Sequence, residues 1–557
     1  MLKLPIGYDN FGEVRRQGFS LVDKSLLIKD FWEDNAQVAL ITRPRRFGKS
    51  LNLSMLHHFF AAVVAGESTQ GLFDDLKIAE LGETYMRHQG QYPVIALTLK
   101  GIKAKTFDEA CASLAGVFSH LFAEYEIILT NPNIPGAIKI EFEEVLYRKA
   151  SQATLENAIF NLSYCLFTHY GKKPIILIDE YDTPIQSGYL HHYYDDIVGF
   201  MRNLFGNALK SNPYLHRAVL TGILRVSKES LFSGLNNLEV YSMFRSEYSQ
   251  YFGFTEEEVI DVFTQSGLAV ELPEVRAWYN GYQIGDCTIY NPWSIVNCIK
   301  QKGSLQSYWV NTSGHEILQR AIAKASPKFK MSMESLLEKK PIMRLIDESF
   351  VFADIDTNES ALWSLLLASG YLKAIHATPE KHLINCTLLF PNKEVTIVYE
   401  AIFSEWFTDR MEQEEYQLFL RNLLTGNIED FTKMLKNFLL ESASFFDVGG
   451  RHPEKFYHGF VLGLMASLQD NYTIQSNRES GYGRYDVMLI PTDKAKLGIV
   501  LEFKTAEAAE DLAIVAQQAL QQVKDKQYEA ELKQAGVQSV LKLGLAFKGK
   551  EVEVVSE

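Results

Sequence analysis

Cysteine is scarce in this chain, and long apolar runs are absent. Five cysteines are spread over 557 residues and none forms a Cys-x-x-Cys pair, so neither a disulfide framework nor a zinc pattern is indicated. No apolar segment approaches the roughly 20 residues of a transmembrane helix. The N-terminus also lacks the apolar core of a signal peptide. We therefore expect a cytoplasmic protein that does not contact a membrane, with export by a signal-independent route as the alternative.

Basic residues are too few for a general nucleic-acid coat protein. There are 55 Lys and Arg against 69 Asp and Glu, which gives a net charge of −14. Because nonspecific affinity for nucleic acid comes from neutralising phosphates, this balance argues against such a coat, although an enzyme with a local basic channel remains compatible with it. Hydrophobic residues make up 47% of the chain and charged residues 22%, which is typical of a folded globular protein. The length predicts about three domains.

A phosphate-binding loop is indicated at residues 41–50, which read ITRPRRFGKS. The loop lies between a short apolar run and a helix-like stretch, so backbone N–H groups and a helix N-terminus can hold phosphate oxygens. In such a loop Lys49 reaches the β- and γ-phosphates and the Ser50 hydroxyl binds Mg²⁺. The alternative is a surface turn that happens to contain Gly-Lys-Ser.

The loop departs from the usual G-x-x-x-x-G-K-[ST] spacing at its start. Arg43 stands where the first glycine is expected, and Pro44 removes one backbone donor. Arg45 and Arg46 either offset the lost contacts through guanidinium–phosphate pairs or form a solvated basic face.

The second half of a nucleoside triphosphate site is indicated at residues 174–182, PIILIDEYD. An apolar strand ends here in Asp179, which can hold the Mg²⁺ shell, and Glu180, which can orient an attacking water. The sequence therefore predicts an ATP and Mg²⁺ site. Its predicted cofactor-binding residues are Arg43, Pro44, Arg45, Arg46, Phe47, Gly48, Lys49, Ser50, Leu51 and Asp179.

Strand-like and helical segments alternate through this half of the chain. Strands are expected at 38–41, 92–99, 175–178 and 217–223, with helical periodicity at 51–60, 106–129 and 151–170. This alternation predicts a parallel sheet with helices on both faces, whose ligands lie at the carboxyl ends of the strands. Arg225 follows one such end. It is a candidate γ-phosphate sensor or arginine finger, with a structural salt bridge as the alternative.

A second chemical site is predicted near the C-terminus. Asp486 begins one strand, and Glu502 and Lys504 lie two residues apart on the next, so both point to the same face. Asp486 and Glu502 can bind a divalent metal, and Lys504 can position or help deprotonate a metal-bound water, which is the chemistry of phosphodiester hydrolysis. Glu454 is a candidate for a further metal contact. The alternative is an antiparallel hairpin with an ordinary surface Glu/Lys pair.

These motifs resemble two known families. Residues 1 to about 290 resemble the AAA-ATPase-like domain of a large bacterial family, on the segments 22–24 (VDK), 43–50 (RPRRFGKS), 177–184 (LIDEYDTP), 220–223 (LTGI), 233–237 (SGLNN) and 290–293 (YNPW). Residues from about 450 to 550 resemble the PD-(D/E)xK nuclease superfamily. That resemblance implies that Asp486, Glu502 and Lys504 form the core motif, that Gln522 is the family's helix glutamine, and, more weakly, that Glu454 contributes.

Motifs and resemblance together predict an α/β architecture. We expect a P-loop NTPase sheet with helices on both faces at 1–290 and a small, mostly helical, winged-helix-like middle domain at 291–400. A helical connector follows at 401–448, and a restriction-endonuclease-like α/β domain at 449–557. Within the middle domain, residues 388–390 and 395–398 have the pattern of strands.

The leading hypothesis is an ATPase coupled to a Mg²⁺-dependent nuclease that acts on DNA or RNA, with Mn²⁺ as an alternative metal at the nuclease site. Its predicted catalytic residues are Glu180, Asp486, Glu502, Lys504, Gln522 and Arg225, and its predicted metal ligands are Ser50, Asp179, Glu454, Asp486 and Glu502. The alternative is a nucleotide-dependent switch that binds partners and carries an inert nuclease fold. An ATPase that acts on host protein is a weaker option. A homo-oligomer is an open expectation, because AAA-like ATPases often form rings.

Overall fold

The computed structural model describes residues 2–225, 237–268, 270–309, 326–337, 339–399, 413–441, 468, 471–480, 483–507, 509–549 and 551–557. Two compact units emerge. The first comprises Met1–Ala321 with Lys339–Val395, and the second comprises Ile322–Glu338 with Thr396–Glu557. The domain limits expected at residues 290, 400 and 448 stay a prediction.

In the first unit, the helices are α1 (Phe11–Arg16), α2 (Leu26–Glu33), α3 (Lys49–Phe60), α4 (Lys77–Glu80), α5 (Glu83–Met86), α6 (Phe107–Ala123), α7 (Gly136–Leu146), α8 (Gln152–Tyr170), α9 (Thr183–Leu190), α10 (Tyr194–Leu209), α11 (Glu256–Ser266), α12 (Leu272–Tyr279) and α13 (Pro292–Lys300). Short 3₁₀ turns lie at Glu126–Thr130 and Phe352–Asp356. The strands are β1 (Val38–Thr42), β2 (Val63–Val64), β3 (Glu67–Ser68), β4 (Val94–Thr98), β5 (Ile175–Asp179), β6 (Arg217–Gly222), β7 (Leu238–Tyr241), β8 (Tyr282–Ile284), β9 (Cys287–Ile289), β10 (Ile342–Ile346), β11 (Lys373–Glu380) and β12 (Leu383–Leu389).

A five-stranded parallel sheet forms the centre of this unit, in the order β4-β5-β6-β1-β7. Strands β1 and β5 are buried along their whole length, because helices cover both faces. On one face, Ala39 and Ile41 pack with apolar residues of α1, α2 and α3. On the other face lie Leu40 and Ile178, on the side of helices α6, α8 and α10, which pack on one another. The predicted parallel sheet with helices on both faces is confirmed.

Helix ends in this unit follow local sequence signals. Helix α11 begins with the capping box that Thr255 and Glu258 predict: each side chain accepts a hydrogen bond from the other residue's backbone N–H. Helix α8 begins at Ser151, whose hydroxyl accepts from the Thr154 N–H, and ends at Gly171 in the left-handed region.

Residues 339–399 combine helix α15 (Glu359–Ala368) with the three-stranded antiparallel sheet β10-β12-β11. The strand expected at 388–390 overlaps the end of β12. The strand expected at 395–398 was wrong, since residues 393–399 are helical. A run of four β-branched residues, three of them apolar, is equally compatible with a buried helix turn, and tertiary packing decides between the two.

The second unit contains helices α14 (Pro327–Leu337), α16 (Gln413–Thr425), α17 (Ile428–Glu441), α18 (Leu512–Asp525) and α19 (Ala530–Gln534). Its strands are β13 (Tyr472–Ser480), β14 (Gly483–Pro491), β15 (Gly498–Thr505), β16 (Val540–Lys548) and β17 (Glu551–Ser556). They form one mixed sheet in chain order, in which only the β15–β16 pair is parallel. Helices α16 and α17 share a core with one face of this sheet, and α18 packs against β15, β16 and β17.

Across the residues described in both units, no helix is both long enough and apolar enough to cross a bilayer.

Candidate functional site

The predicted phosphate loop connects β1 to α3 at the carboxyl edge of the parallel sheet. Gly48, with φ +83°, precedes the first residue of α3, and Arg46 also lies in the left-handed region, with φ +69°. Such backbone is unusual for a residue with a side chain and marks a constrained loop. The helix opens with N–H groups that have no intrahelical partner, which is the arrangement that binds phosphate.

A cavity of 640 Å³ lies against this loop. Residues 45–50 of the loop line the cavity, and so does Leu51, the next residue. Its other walls include Leu2, residues 4–9, part of α11, Trp293 and Glu180. Much of the lining is apolar away from the loop, so the space suits a ligand with an uncharged ring and a charged phosphate tail.

Arg43, at the position of the missing glycine, turns its side chain into the protein behind the loop. Its guanidinium is fully buried and donates to the carbonyl oxygens of Thr42 (2.8 Å), Tyr241 (2.8 Å), Ser242 (3.1 Å) and Glu247 (3.4 Å). Burial lowers the pKa of Arg43 to about 9. The side chain therefore fastens the loop to the segment after β7. Neither Arg43 nor Pro44 lines the cavity. Pro44 lies close to Gly370 instead, where an added Cβ would come within 3.0 Å of Pro44 Cβ.

The two following arginines do line the cavity. Arg45 donates from Nη2 to Gln186 Oε1 at 3.1 Å, and the Arg46 guanidinium stacks 4.3 Å from the centre of the Trp293 ring. Partial burial lowers the pKa of Arg46, and the Glu180 carboxylate opposes that shift. Phe47 is buried edge-on against Tyr282, with 4.9 Å between ring centres.

Lys49 crosses back over the loop. Its ammonium donates to the carbonyl oxygens of Arg43 (2.9 Å) and Pro44 (2.8 Å) and is almost fully buried. Burial lowers the pKa of Lys49, while the carboxylates of Glu180 and Asp179 oppose that shift. The lysine is thus held at the loop by neutral carbonyl groups, which a phosphate group can replace.

Ser50 and Asp179, which come from distant parts of the sequence, meet at the edge of the sheet. The Ser50 hydroxyl donates to Asp179 Oδ2 at 2.5 Å, and the Thr221 hydroxyl at the end of β6 donates to Asp179 Oδ1 at 2.6 Å. Hydroxyl and carboxylate oxygens are the ligands that Mg²⁺ prefers, so this donor set fits that ion.

Glu180 follows Asp179 with φ +51°, a left-handed conformation that turns its carboxylate towards the cavity. The Thr183 hydroxyl donates to Glu180 Oε2 at 3.3 Å. The neighbouring Asp182 is buried and accepts the N–H groups of Ile223 (2.9 Å) and Leu224 (3.2 Å). Burial raises the pKa of Asp182, and the two N–H groups oppose that shift. Asp182 therefore joins the ends of β5 and β6.

Arg225 lies three residues beyond β6, directly after the segment that Asp182 holds. Arg225 is not among the residues that line the cavity, unlike Lys49, Ser50 and Glu180. Its role as a sensor or arginine finger stays a prediction. Of the motif at 233–237, residues 233–236 lie outside the described residues.

In the C-terminal unit, Asp486 and Glu502 lie on the neighbouring antiparallel strands β14 and β15. Asp486 Oδ2 accepts the N–H of Phe503 at 2.8 Å, which places its carboxylate beside the strand position of Glu502. Glu502 is only 4% exposed, so an ordinary surface Glu/Lys pair does not describe it. Lys504 is two residues further along β15 and half-buried.

Helix α18 brings Gln522 to Glu502. The Gln522 amide donates from Nε2 to Glu502 Oε1 and, at 3.4 Å, to the Tyr528 hydroxyl. The helix lies very close to β16: a Cβ at Gly544, which pairs with Glu502, would be 2.4 Å from the carbonyl oxygen of Ala516. Glycine is therefore required at Gly544 for this approach.

Tyr528 belongs to the same group of contacts, and sequence reasoning did not single it out. Its ring is buried, with 6.0 Å between its centre and that of Tyr485. Burial raises the pKa of Tyr528, and the Glu502 and Asp486 carboxylates add to that shift, while the hydrogen bond from Gln522 opposes it. Its hydroxyl is thus neutral near pH 7 and lies close to both acids. A tyrosine after a glutamine-rich helix was the available sequence signal.

The residues of this second site fit a divalent cation through two carboxylates. The predicted third contributor, Glu454, lies outside the described residues. Among the residues that are described, no group of three or more histidines, cysteines, aspartates and glutamates is arranged to hold a metal. Asp486 and Glu502 are therefore the pair on which a metal site would depend.

Comparison with known proteins finds one family match in the region of each of the two sites. Residues 5–232 match a family described as predicted AAA-ATPase, and residues 452–557 match the PD-(D/E)XK nuclease superfamily. A protein of Azotobacter chroococcum mcd 1, named as an uncharacterized protein in the vnfD 5′ region, is 28% identical over 565 aligned residues. That alignment covers 99% of this chain and 98% of the relative. The likeness therefore extends over both regions and the chain between them.

Proposed function

Because this chain joins an AAA-ATPase-like domain to a domain of the PD-(D/E)XK nuclease superfamily, we propose that it binds and hydrolyses ATP and couples the nucleotide state to metal-dependent cleavage of nucleic acid. The proposed cofactors are ATP and Mg²⁺, with Mn²⁺ as an alternative at the nuclease site. The observation that carries the ATPase half is the 2.5 Å contact between Ser50 Oγ and Asp179 Oδ2, which joins the two predicted halves of one site.

The N-terminal residues then divide the work of phosphoryl transfer. Lys49 exchanges the carbonyl oxygens of Arg43 and Pro44 for phosphate oxygens, and the N–H groups that open α3 hold the same phosphates. Ser50 and Asp179 would hold Mg²⁺, which supplies charge neutralisation to the phosphates. Glu180 orients the attacking water, and Thr183 holds its carboxylate. Thr221 fixes the orientation of Asp179 from the opposite side.

The C-terminal residues support phosphodiester cleavage. Asp486 and Glu502 would hold a divalent ion, which activates water and stabilises the charge that develops on phosphate. Gln522 orients Glu502 through its amide, and Lys504, on the same strand, positions the water or withdraws its proton. Because Glu502 is buried, its carboxylate has little access to water and depends on a fixed hydrogen-bond partner.

Arg225 as γ-phosphate sensor and Glu454 as a further metal ligand complete the proposal, together with a cytoplasmic location. The domain limits at 290, 400 and 448 belong to it as well. Formation of a homo-oligomer stays an expectation, which rests only on the resemblance of the N-terminal region to AAA-like ATPases.

The test is cleavage of supercoiled plasmid, single-stranded DNA and RNA with Mg²⁺ or Mn²⁺, with and without ATP. The wild type is run beside Asp486→Ala and Lys49→Ala. We expect Asp486→Ala to lose cleavage and keep ATP turnover, and Lys49→Ala to lose turnover and alter cleavage. Cleavage retained in Asp486→Ala would contradict the nuclease assignment. Intact turnover without cleavage of any substrate would replace it with a nucleotide-dependent switch that carries an inert nuclease fold.

A further inference from the structure

Lys100 follows the edge strand of the parallel sheet, at the same edge as the proposed ATP site. In the β4–β5 pair Thr98 lies opposite Asp179, and the N–H of Leu99 donates to the carbonyl oxygen of Asp179 at 2.9 Å. Lys100 is the next residue. Its side chain lines the same cavity as Lys49, Ser50 and Glu180. The strand order therefore supplies this cavity with a cation that belongs to neither predicted motif.

The ammonium of Lys100 has a carboxylate partner in the N-terminal segment. Lys100 Nζ donates to Asp9 Oδ2 at 2.6 Å. This hydrogen bond raises the pKa of Lys100, partial burial opposes it, and the carboxylates of Asp9, Asp179 and Glu180 raise it further. The group is thus charged near pH 7 and lies within electrostatic reach of both acids at the end of β5.

The Asp9–Lys100 ion pair is open to exchange. The two side chains are 53% and 50% exposed, and ion pairs as exposed as this contribute little to stability. A terminal phosphate carries more charge and more acceptor oxygens than one carboxylate, so it competes well for the ammonium. A diphosphate is one phosphoryl group shorter and lacks that terminal charge.

The residues that carry Asp9 form a wall of the cavity. The wall is anchored on one side where the N–H of Ser20 donates to the Lys3 carbonyl oxygen, and on the other where the N–H of Phe11 donates to Ser54 Oγ on α3. Between these anchors, residues 4–9 line the cavity, and Asp9 connects them to Lys100. A change of partner at Lys100 therefore alters how this wall is held.

We propose that Lys100 is a further γ-phosphate-binding residue, which leaves Asp9 for the terminal phosphate when a nucleoside triphosphate, but not a diphosphate, occupies the cavity. This inference rests on the proposed ATP binding and adds to it a residue that reads the number of phosphates. Residues 4–9 then respond to the nucleotide state, because their link to β4 is lost with the triphosphate and kept with the diphosphate.

The test is a calorimetric titration of the full chain with ADP and with a non-hydrolysable ATP analogue, in the presence of Mg²⁺. We expect Lys100→Ala to weaken binding of the analogue about tenfold, the worth of one charge-assisted hydrogen bond, and to change ADP binding less than about twofold. Asp9→Ala removes the competing carboxylate, so it should strengthen binding of the analogue by about threefold. Lys105→Ala, an exposed lysine outside the cavity lining, is the matched control and should change neither affinity.

The opposite effects of the two variants separate this proposal from a structural role. An equal loss of ADP and analogue affinity in Lys100→Ala, or no loss of either, would overturn it while leaving the proposed ATP binding intact. Weaker analogue binding in Asp9→Ala would overturn the exchange of partners. A wild-type chain that binds neither nucleotide would overturn the proposed function and this inference together.

Discussion

In the N-terminal unit Asp179 ends a parallel strand, whereas in the C-terminal unit Glu502 lies within a strand of a mixed sheet. Both carboxylates are almost fully buried, and each accepts a hydrogen bond from a helix side chain: Ser50 on α3 for Asp179, and Gln522 on α18 for Glu502. The surroundings differ. Asp179 is the last residue of its strand and contacts Ser50 of the phosphate loop, whereas the strand of Glu502 continues to Thr505 and pairs Glu502 with Gly544 of β16.

This difference separates a site that can rearrange from one that is already formed. At the phosphate loop, Lys49, Arg46 and Lys100 all use partners that a phosphate can replace: carbonyl oxygens, an aromatic face and a surface carboxylate. At the second site, Asp486 is bonded to the backbone of β15, and α18 is packed against β16 at Gly544. Nucleotide should therefore change the geometry of the first site, while control of the second should act on access to it.

The largest effect is expected from removing Asp486, a proposed metal ligand of the second site. Asp486→Ala should lower the rate of nucleic-acid cleavage by about 1,000-fold or more, because one of the two carboxylates proposed to hold the metal is removed. ATP turnover should stay within about twofold of the wild type, since the first site is built from other residues. Paired measurements of cleavage and phosphate release check this. A parallel fall in both rates would mean that the two sites are not independent.

Lys49→Ala should lower ATP turnover by about 100-fold, because the phosphates lose their principal charged donor. The same change leaves the carbonyl oxygens of Arg43 and Pro44 without that partner, so the loop itself should loosen. Phosphate release under saturating ATP measures the first effect. Lys49→Arg is the matched control for charge, and full turnover in Lys49→Ala would contradict the assignment of the loop.

Gln522→Ala tests whether the second site is held in place by its helix. Loss of an outer hydrogen bond to a metal ligand typically costs 10- to 100-fold, so we expect the metal concentration at half-maximal cleavage to rise by about that factor. Gln521→Ala, one residue earlier on an exposed position of the same helix, is the control and should behave as the wild type. Equal effects of the two changes would show that helix stability, not orientation of Glu502, is responsible.

Arg43→Met should destabilise the first unit by roughly 3 kcal/mol, because buried carbonyl oxygens after β7 lose their donor. Arg45→Met, in the same loop but with a partly exposed side chain, should cost less than about 1 kcal/mol. Denaturant unfolding of both variants measures the difference. A small effect of Arg43→Met would mean that this arginine is not the anchor of the loop.

The smallest effect is a pH dependence confined to the first unit. Glu394 is fully buried and accepts from the N–H groups of Tyr308 and Trp309 and from the Ser294 hydroxyl. Burial raises its pKa to about 7, although these donors oppose the shift. The folded state therefore binds the proton more tightly than the unfolded state, and this contribution to stability is complete below about pH 4.5 and is lost as the pH rises to about 7.

Glu394→Gln should remove this pH dependence of the unfolding free energy. The difference in unfolding free energy between wild type and variant should change by about 2–3 kcal/mol between pH 4.5 and 7.5. Urea titrations at several pH values measure it. A difference that does not vary with pH would place the pKa of Glu394 in the ordinary carboxyl range.

Sequence reasoning found the residues whose chemistry is fixed by local pattern. The Gly-Lys-Ser loop before a helix, the apolar strand that ends in Asp179 and Glu180, and the capping box at Thr255 each depend on neighbours within a few residues. It failed where a short pattern has two solutions, as at 395–398. It also gave Arg43 a place among the cofactor-binding residues, although the structure directs that side chain to carbonyl oxygens about 200 residues further along the chain.

The sequence by itself indicated the likeness to two families, predicted the parallel sheet and singled out Asp179, Asp486 and Glu502 as candidate site residues, because periodicity and short motifs can be recognised without knowledge of the fold. Only the tertiary structure decided which distant groups meet. The strand order places Lys100 beside the acids at the end of β5, and the close packing at Gly544 delivers Gln522 and Tyr528 to Glu502. Such contacts depend on the pairing of strands and the burial of helix faces, which a linear pattern does not encode.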